Sequence, residues 1–438
     1  MHFLLVNNIS FCILSLLLYF FSPENYSYEF CFLIFLMSLY VSFIYLIRSV
    51  RREGMGFSYL FIFSFLMVNF IYPVFYFNTQ DRYFLSFNYN FNENVINQST
   101  SIAFIALNFF ILFNTNYNNR KIEKIRNFYI NKNTVYAISF LLTVIFIFFV
   151  YQGGYSDLFL RYSVGQVGYT GLNNYMFMFI NFYTILLTII GLHLKNNKLK
   201  FLALFISFLS SFLFLLTGYR SLFISIILML FCYFNLNIRK IKLHESIFPI
   251  FIGGISMYFI MLYRGGENFE YNNLLDIFSD LIINNWSLYI LTDYTNNFGS
   301  VLWLNFIPQA LSIFPFSGSV LNSFNINTQY SYGQFPTYLA FGSNPPFGLG
   351  TNMVGEALLA FNIFGVVIVF SLLGYLIKRL SYNLNKNIYF NIIFMYLVSQ
   401  SIFLARADFG WPIKAISWML LTYFILNFLF NKLSAKSK

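Results

Sequence analysis

Residues 201–234 read FLALFISFLSSFLFLLTGYRSLFISIILMLFCYF. Two apolar runs, Phe201–Thr217 and Ser221–Phe234, flank the turn Gly218-Tyr219-Arg220, and Arg220 is the single charge in the stretch. Lys195, Lys198 and Lys200 precede the pair, and Arg239, Lys240 and Lys242 follow it. Lipid offers the backbone no hydrogen-bond partner, so a spanning chain must be helical or close into a barrel. Barrel strands alternate apolar with polar residues, whereas these runs are continuous, and the reading is therefore a pair of transmembrane helices. Basic residues collect in cytoplasmic loops, which places both outer ends of the pair in the cytoplasm and Arg220 on the opposite face.

The rest of the chain repeats this pattern. Its 438 residues are 58% hydrophobic, 23% aromatic and 9% charged, with mean hydropathy +0.66. A soluble protein of this length could not cover so much apolar surface with so few charges. Twelve spans are predicted: Phe3–Phe21, Phe30–Ile47, Phe57–Phe77, Ser101–Phe113, Thr134–Tyr151, Asn174–Leu194, Phe201–Thr217, Ser221–Phe234, Ile247–Tyr263, Asn352–Ile377, Ile388–Leu404 and Pro412–Phe430. The first lacks a basic leader and a small-residue cleavage site, so it reads as a retained helix. The predicted fold is an all-α polytopic membrane protein of about twelve transmembrane helices with a large exoplasmic loop. Residues 1–263 carry helices one to nine, 264–351 form the loop, and 352–438 carry the last three helices and a tail.

Orientation follows from the basic residues. Twenty of the 26 fall in even-numbered connections or the tail: Arg48, Arg51, Arg52, Arg120, Lys121, Lys124, Arg126, Lys132, Lys195, Lys198, Lys200, Arg239, Lys240, Lys242, Lys378, Arg379, Lys386, Lys432, Lys436 and Lys438. Both termini are thus expected in the cytoplasm. The net charge of +11 is explained by these loops and by anionic lipid, without nucleic acid, since no soluble domain carries a basic surface. Cys12, Cys31 and Cys232 lie inside spans, which argues against disulfides and zinc. The cytoplasmic connections are too short for a nucleotide-binding domain, and no phosphate-binding GxxxxGKS loop occurs. No cofactor is expected.

The other face carries the mass. Only Glu53, Glu123 and Glu245 of the 15 acidic residues fall in cytoplasmic connections, and the segment from Arg264 to about Thr351 far exceeds ordinary connections. Within it, Asn273–Tyr294 spaces Leu274, Leu275, Ile277, Phe278, Leu281, Ile282 and Ile283 as a helix would, opposite Asp276, Asp280, Asn284 and Asn285. That pattern predicts an interfacial amphipathic helix, with a second such helix or a re-entrant segment at Gly299–Phe314. Pro315–Gly350 reads as an ordered loop or lid, whose Tyr330, Tyr332, Phe335, Tyr338 and Phe341 can stack on sugar rings or simply sit at the interface.

Five of the six remaining basic residues are arginines, Arg82, Arg161, Arg220, Arg264 and Arg406, and several sit at helix ends. A charge near the hydrocarbon boundary is usually paired or functional. Local acids supply the first explanation: Asp81 for Arg82, Glu267 for Arg264, Asp408 for Arg406. Arg is also preferred over Lys where a planar fork must clasp phosphate oxygens. Arg161, Arg220, Arg264 and Arg406 gathered at the outer leaflet would hold a lipid diphosphate.

The stretch Pro345-Pro346-Phe347-Gly348-Leu349-Gly350-Thr351-Asn352-Met353-Val354-Gly355-Glu356, continuing through Phe361-Asn362-Ile363-Phe364-Gly365-Val366 to Gly374, resembles the O-antigen polymerase family. Those proteins are similar in carrying Gly-Thr-Asn followed by Glu where a large external loop enters a late helix. The Gly-Tyr-Arg-Ser turn at 218–221 resembles an arginine-bearing turn of O-antigen polymerases and ligases. The resemblance implies a GT-C-like membrane glycosyltransferase acting on undecaprenyl-diphosphate-linked oligosaccharide, as donor and as acceptor, at the periplasmic face of the bacterial inner membrane. A polysaccharide chain-length regulator is a further candidate partner. Such a reaction needs fixed cations for the leaving diphosphate, for which Arg161, Arg220, Arg264 and Arg406 are the candidates. It also needs a proton acceptor. No histidine reaches the outer face, so a carboxylate or substrate assistance is left. Glu356 is the first candidate, with Asp408 and Asp293 behind it; the alternative for Glu356 is a carboxylate stabilised by the first turn of a helix. No Asp-x-Asp pair is present and no metal is expected. An O-antigen ligase is similar in carrying a histidine in the large loop, which 264–352 lacks. A flippase would show two similar halves, and a membrane acyltransferase needs a histidine centre.

Overall fold

The structure is a computed structural model that describes residues 2–53, 56–77, 92–115, 128, 130–157, 171–242, 245, 279–301, 310–311, 313–314, 335–342, 348–408 and 410–436. The helices are α1 His2–Phe20, α2 Tyr28–Glu53, α3 Phe57–Phe75, α4 Asn94–Asn114, α5 Lys132–Tyr151, α6 Gly171–His193, α7 Asn197–Leu216, α8 Ser221–Asn237, α9 Ser279–Ile282, α10 Asn285–Phe298, α11 Phe335–Phe341, α12 Met353–Asn383, α13 Ile388–Gln400 and α14 Gly410–Lys436. Eight are long and apolar enough to cross a membrane, and Leu4–Phe20, Ser221–Asn237 and Ile388–Gln400 are shorter apolar helices. Eleven of the twelve expected spans coincide with helices, while Ile247–Tyr263 lies outside the described residues.

Two groups of helices make the bundle. In the first, α4 packs most extensively on α12 and also on α1, α2, α3 and α10. In the second, α6 packs on α5, α7 and α8, and α13 on α8 and α14. The groups join where α12 meets α13 and where residues 404–406 touch α3 and α12. Large apolar side chains turn outward on the rim, with Phe140 68%, Phe201 72% and Phe364 78% exposed, as lipid contact requires and water would not tolerate.

The helix termini that carry basic connections gather at one end. There Lys378 Nζ donates to the Thr115 carbonyl at 3.0 Å, Asn114 Nδ2 to Tyr45 Oη and Ser58 Oγ, and Asn131 Nδ2 to Asn431 Oδ1.

Three local features depart from the expectations. α4 begins at Asn94, before the expected Ser101, because the hydroxyls of its polar first turns bond within the helix: Thr100 to the Ile96 carbonyl at 2.7 Å and Ser101 to that of Asn97 at 3.0 Å. The amphipathic segment is not interfacial over its described part. The chain turns at Ile283–Asn284, and α10 lies inside the bundle against α3, α4 and α12, with Leu288, Ile290 and Leu291 fully buried. Its polar residues face buried polar partners instead of water: Asn285 Nδ2 donates to the Val68 carbonyl at 2.8 Å, and Ser99 Oγ to Thr292 Oγ1 at 3.0 Å.

The third feature is the broken helix α12. Phe361 (φ −144°) and Asn362 (φ 55°) leave helical geometry. Residues 357 and 365 would stand about 12 Å apart along a straight helix, yet a Cβ on Gly365 would overlap the Ala357 carbonyl. The chain therefore reverses, and the short arm 353–360 lies against the long arm 363–383. The backbone N–H of Val301 donates to the Leu359 carbonyl freed at the break, at 3.0 Å. Gly374 brings the long arm against α4, where a Cβ would lie 2.5 Å from the Phe110 carbonyl oxygen.

Gly365→Ala and Gly374→Ala should each destabilise the protein by about 1–3 kcal/mol or more, because backbone and not a flexible side chain occupies the space. Gly348→Ala meets nothing within 4 Å and should leave stability unchanged. Thermal unfolding of the three purified variants in detergent checks this, and equal melting points for all three would contradict the packed reversal.

Candidate active site

Helix α13 has 13 residues, about 20 Å of rise, against roughly 30 Å of hydrocarbon. Helix α8, with 17 residues, also falls short. Both begin or end at the basic end, so their other ends stop below the opposite surface and leave a recess. Ser225 Oγ donates to the Ser399 carbonyl at 3.1 Å and Gln400 Nε2 to Ser225 Oγ at 3.3 Å, which fixes the two helices side by side there.

Arg220 occupies the N-cap position at the recessed end of α8. The preceding helix ends in a glycine-based stop: Gly218 takes φ 88°, its N–H reaches the Leu215 carbonyl, and the Tyr219 N–H reaches that of Phe214. Edge contacts of Tyr219 with Phe177 and Phe214 hold the turn, and the Arg220 side chain is 9% exposed.

The link between α13 and α14 carries Arg406 and Asp408. Residues 404–406 form one 3₁₀ turn, and the Arg406 guanidinium lies 5.9 Å from the centre of the Phe403 ring. Ser64 Oγ donates to the Ile402 carbonyl, which seats the link beside the middle of α3. Asp408 Oδ1 accepts the Trp411 N–H at 2.5 Å. Burial pushes this carboxyl above the ordinary carboxylate range, opposed by the backbone N–H groups of Trp411 and Gly410 and by the charge of Lys414.

The third part is the turn that begins α12. Gly350 takes φ 72°, and a Cβ there would lie 3.7 Å from the Arg406 carbonyl oxygen, so the turn abuts the link. Asn352 Oδ1 caps the helix by accepting the Val354 N–H at 2.9 Å, while its Nδ2 donates to Asn69 Oδ1 at 2.9 Å. Asn284 Nδ2 donates to the Leu349 carbonyl, Ser287 Oγ to that of Gly350, and the Leu349 N–H to Thr337 Oγ1. Thr351 Oγ1 donates to Glu356 Oε1 at 2.6 Å, and Glu356 is fully buried.

The structure thus brings together the Arg220 turn, the Arg406–Asp408 link and the turn leading to Glu356. Tyr219 and Ser221 from the first, and Gln400 and Trp411 flanking the second, border one open cavity. Asp293 lies apart, on α10, where Asn297 Nδ2 donates to its Oδ2. Arg82, Arg161, Arg264, Tyr330 and Tyr332 lie outside the described residues. Phe335 is not free to stack on a ligand, being 4% exposed with its ring edge-on to Tyr294. Asn69, Ser287 and Thr337, which help to hold the Gly350 turn, escaped sequence reasoning, and Asn284 was read only as part of a polar stripe; their signal is an amide or hydroxyl set among apolar residues.

A many-helix bundle with an apolar rim and a polar recess away from its basic end is a multi-pass membrane protein. The family model of the O-antigen polysaccharide polymerase Wzy matches residues 4–438, and the chain belongs to that family. It is accordingly a multi-pass protein of the bacterial inner membrane, and the family's activity is the polymerisation of O-antigen repeat units. No curated protein and no solved structure matches the chain.

Asn352→Ala removes both the cap of α12 and the partner of buried Asn69. A loss of about 1–3 kcal/mol is expected, read as a lowered melting temperature. Asn352→Asp keeps the cap but not the donor to Asn69, and should fall between.

Proposed function

We propose that this chain transfers a growing glycan from undecaprenyl diphosphate to a single lipid-linked repeat unit at the periplasmic face of the inner membrane. In this reading the basic end is cytoplasmic with both termini, Ile247–Tyr263 is the ninth of twelve spans, and 264–351 is the periplasmic loop. The observation that carries it is the recess: the neighbours of Arg220, Tyr219 and Ser221, and the residues flanking the Arg406 link, Gln400 and Trp411, border one cavity at the end away from the basic connections.

The chemistry follows from what lies there. A hydroxyl at the acceptor's non-reducing end attacks the anomeric carbon of the donor, the bond from that carbon to the diphosphate oxygen breaks, and undecaprenyl diphosphate leaves. Charge grows on the leaving oxygen, and guanidinium groups fixed where water is scarce stabilise it. Arg220 and Arg406 take that role, joined by Arg161 and Arg264. The acceptor proton passes to a carboxylate. Of the two candidates we favour Asp408 over Glu356. Asp408 is half-buried in the link, and a carboxyl raised by burial is suited to accept a proton near neutral pH. Glu356 is enclosed and bonded to Thr351, which suits it to holding the turn against Arg406.

Arg220→Ala and Arg406→Ala should each abolish the long-chain ladder on a gel of surface polysaccharide, leaving a single repeat unit on the core. Arg→Lys at either site should restore it only partly, since a point charge replaces the fork. An unaltered ladder in both alanine variants would sink the diphosphate assignment. Asp408→Asn still accepts the Trp411 N–H and should fold, but lose at least about 100-fold in rate. The proton must be off Asp408 for it to act, so a raised pKa moves the acid-side fall in activity to higher pH than an ordinary carboxylate would give. A pH–rate profile of the reconstituted enzyme tests this, and a profile unmoved in Asp408→Asn would transfer the role to Glu356.

A further inference from the structure

Lys414 is the sixth basic residue outside the basic connections, beside five arginines, and the function proposed above gives it no task. A lysine in the first turns of a spanning helix ordinarily extends its apolar stem toward the lipid headgroups. Here the ammonium lies over the Trp411 ring instead, 6.0 Å from its centre, and the residue is half-buried. We propose that Lys414 is a positioning residue acting through Asp408, its charge keeping the carboxylate ionised between turnovers so that a proton acceptor is ready when substrate arrives. The inference rests on the reading of Asp408 as the base and assigns the group that sets its working pH.

One residue holds both charges. The Trp411 backbone N–H donates to Asp408 Oδ1 at 2.5 Å, and its indole carries the Lys414 ammonium. Lys414 follows Trp411 by three residues on α14, which puts the two on one face of the helix. The indole is seated in turn against Phe182 of α6, with ring centres 5.7 Å apart, which fixes the surface on which the cation rests. Among the described residues no hydrogen bond or ion pair joins Lys414 to Asp408 directly. The charge therefore acts through space and occupies no carboxylate oxygen that the acceptor hydroxyl needs.

Opposing effects meet at the carboxyl. Burial, the largest, disfavours its charge, while the N–H groups of Trp411 and Gly410 and then the charge of Lys414 favour it. The other groups packed around the link are the Tyr396 phenol of α13, which faces Asp408, Arg406 within the link, and Glu356 of α12, which is bonded to Thr351. The adjoining helix α3 has no charged side chain. Lys414 is thus the side chain whose charge favours the ionised form. Burial alone favours a protonated, idle acid, and a direct ion pair would make too weak a base. A cation held at one remove does neither, and that balance is what a base working near neutral pH requires.

The test titrates the full-length, reconstituted enzyme by two readouts: its pH–rate profile, and the infrared carboxyl band of Asp408, identified by its loss in Asp408→Asn. Lys414→Met removes the charge and keeps an apolar stem on the indole. Without the cation the carboxyl holds its proton to higher pH. The infrared midpoint and the acid-side fall in activity should therefore both move up by about one pH unit, a loss of about ten-fold in rate on that limb. Lys414→Arg keeps the charge and should keep the wild-type midpoint. An infrared midpoint unmoved in Lys414→Met overturns the inference, and the base reading of Asp408 then stands or falls with Asp408→Asn. A midpoint that moves while the rate profile stays put upholds the action of Lys414 on Asp408 and removes the base reading. Should Lys414→Met melt below the wild type, Lys414→Gln decides by the same comparison.

Discussion

Everything near the recess depends on one constraint: backbone broken inside a helical bundle must find its hydrogen bonds within the protein. The chain departs from helix at 348–352, at 361–362 and at 401–408, all among packed helices. Side-chain amides and hydroxyls do the work that water does elsewhere. Asn284 and Ser287 take the Leu349 and Gly350 carbonyls, Thr337 takes the Leu349 N–H, and Ser64 takes the Ile402 carbonyl. Each unmet group in such surroundings would cost several kcal/mol. The turns are therefore held in one geometry, and rigid geometry is what a site that stabilises developing charge needs.

The short helices explain why arginines are tolerated there. A helix of 13 residues leaves about a third of the hydrocarbon thickness unspanned. The link beyond α13 packs on protein, with residues 404–406 against α3 and α12, and Arg220 is buried, so neither arginine belongs to the apolar rim. Irregular backbone at that depth is found only where it lines a cavity or is buried in protein, and both conditions hold here. An aromatic neighbour, Phe403 beside the Arg406 guanidinium, contributes a cation–π contact there.

Much of this was legible in sequence, and the misses have physical causes. Continuous apolar runs revealed eleven of the described helices, because a run of about twenty such residues has few alternatives. Gly365 and Gly374, noticed as part of a family-like pattern, prove to be sites where only hydrogen fits against a carbonyl. The burial of α10 was not legible. An amphipathic stripe looks the same whether its polar side meets water or a set of buried hydroxyls, and the partners of Asn285 and Thr292 lie some 200 residues away. The reversal at 361–362 was hidden likewise. Asn362 takes a positive φ, uncommon outside glycine, and the residues flanking it are apolar enough to read as one long span.

The two carboxylates show how a motif and a mechanism can part. Glu356 belongs to the pattern that resembles the family, and with no histidine on the outer face that pattern made it the leading base. Its surroundings suggest otherwise: it is sealed from solvent, receives the Thr351 hydroxyl, and stands in the first turn of a helix whose dipole favours it. Asp408 carries no such motif, yet it accepts the N–H of Trp411, a residue of the cavity wall, and burial opposes its charge. A base must give up its charge to a proton during the reaction. A carboxylate whose negative form is well served by its neighbours is poorly disposed to that, and one whose negative form is held at a cost is well disposed. The recurrence of Gly-Thr-Asn with a following Glu then reads as the architecture of a turn. Gly350 allows the approach to the Arg406 carbonyl, Asn352 starts the helix and ties it to α3, and Glu356 secures Thr351 from behind. What these residues fix is a turn set against the Arg406 carbonyl, and through it the position of the link between α13 and α14.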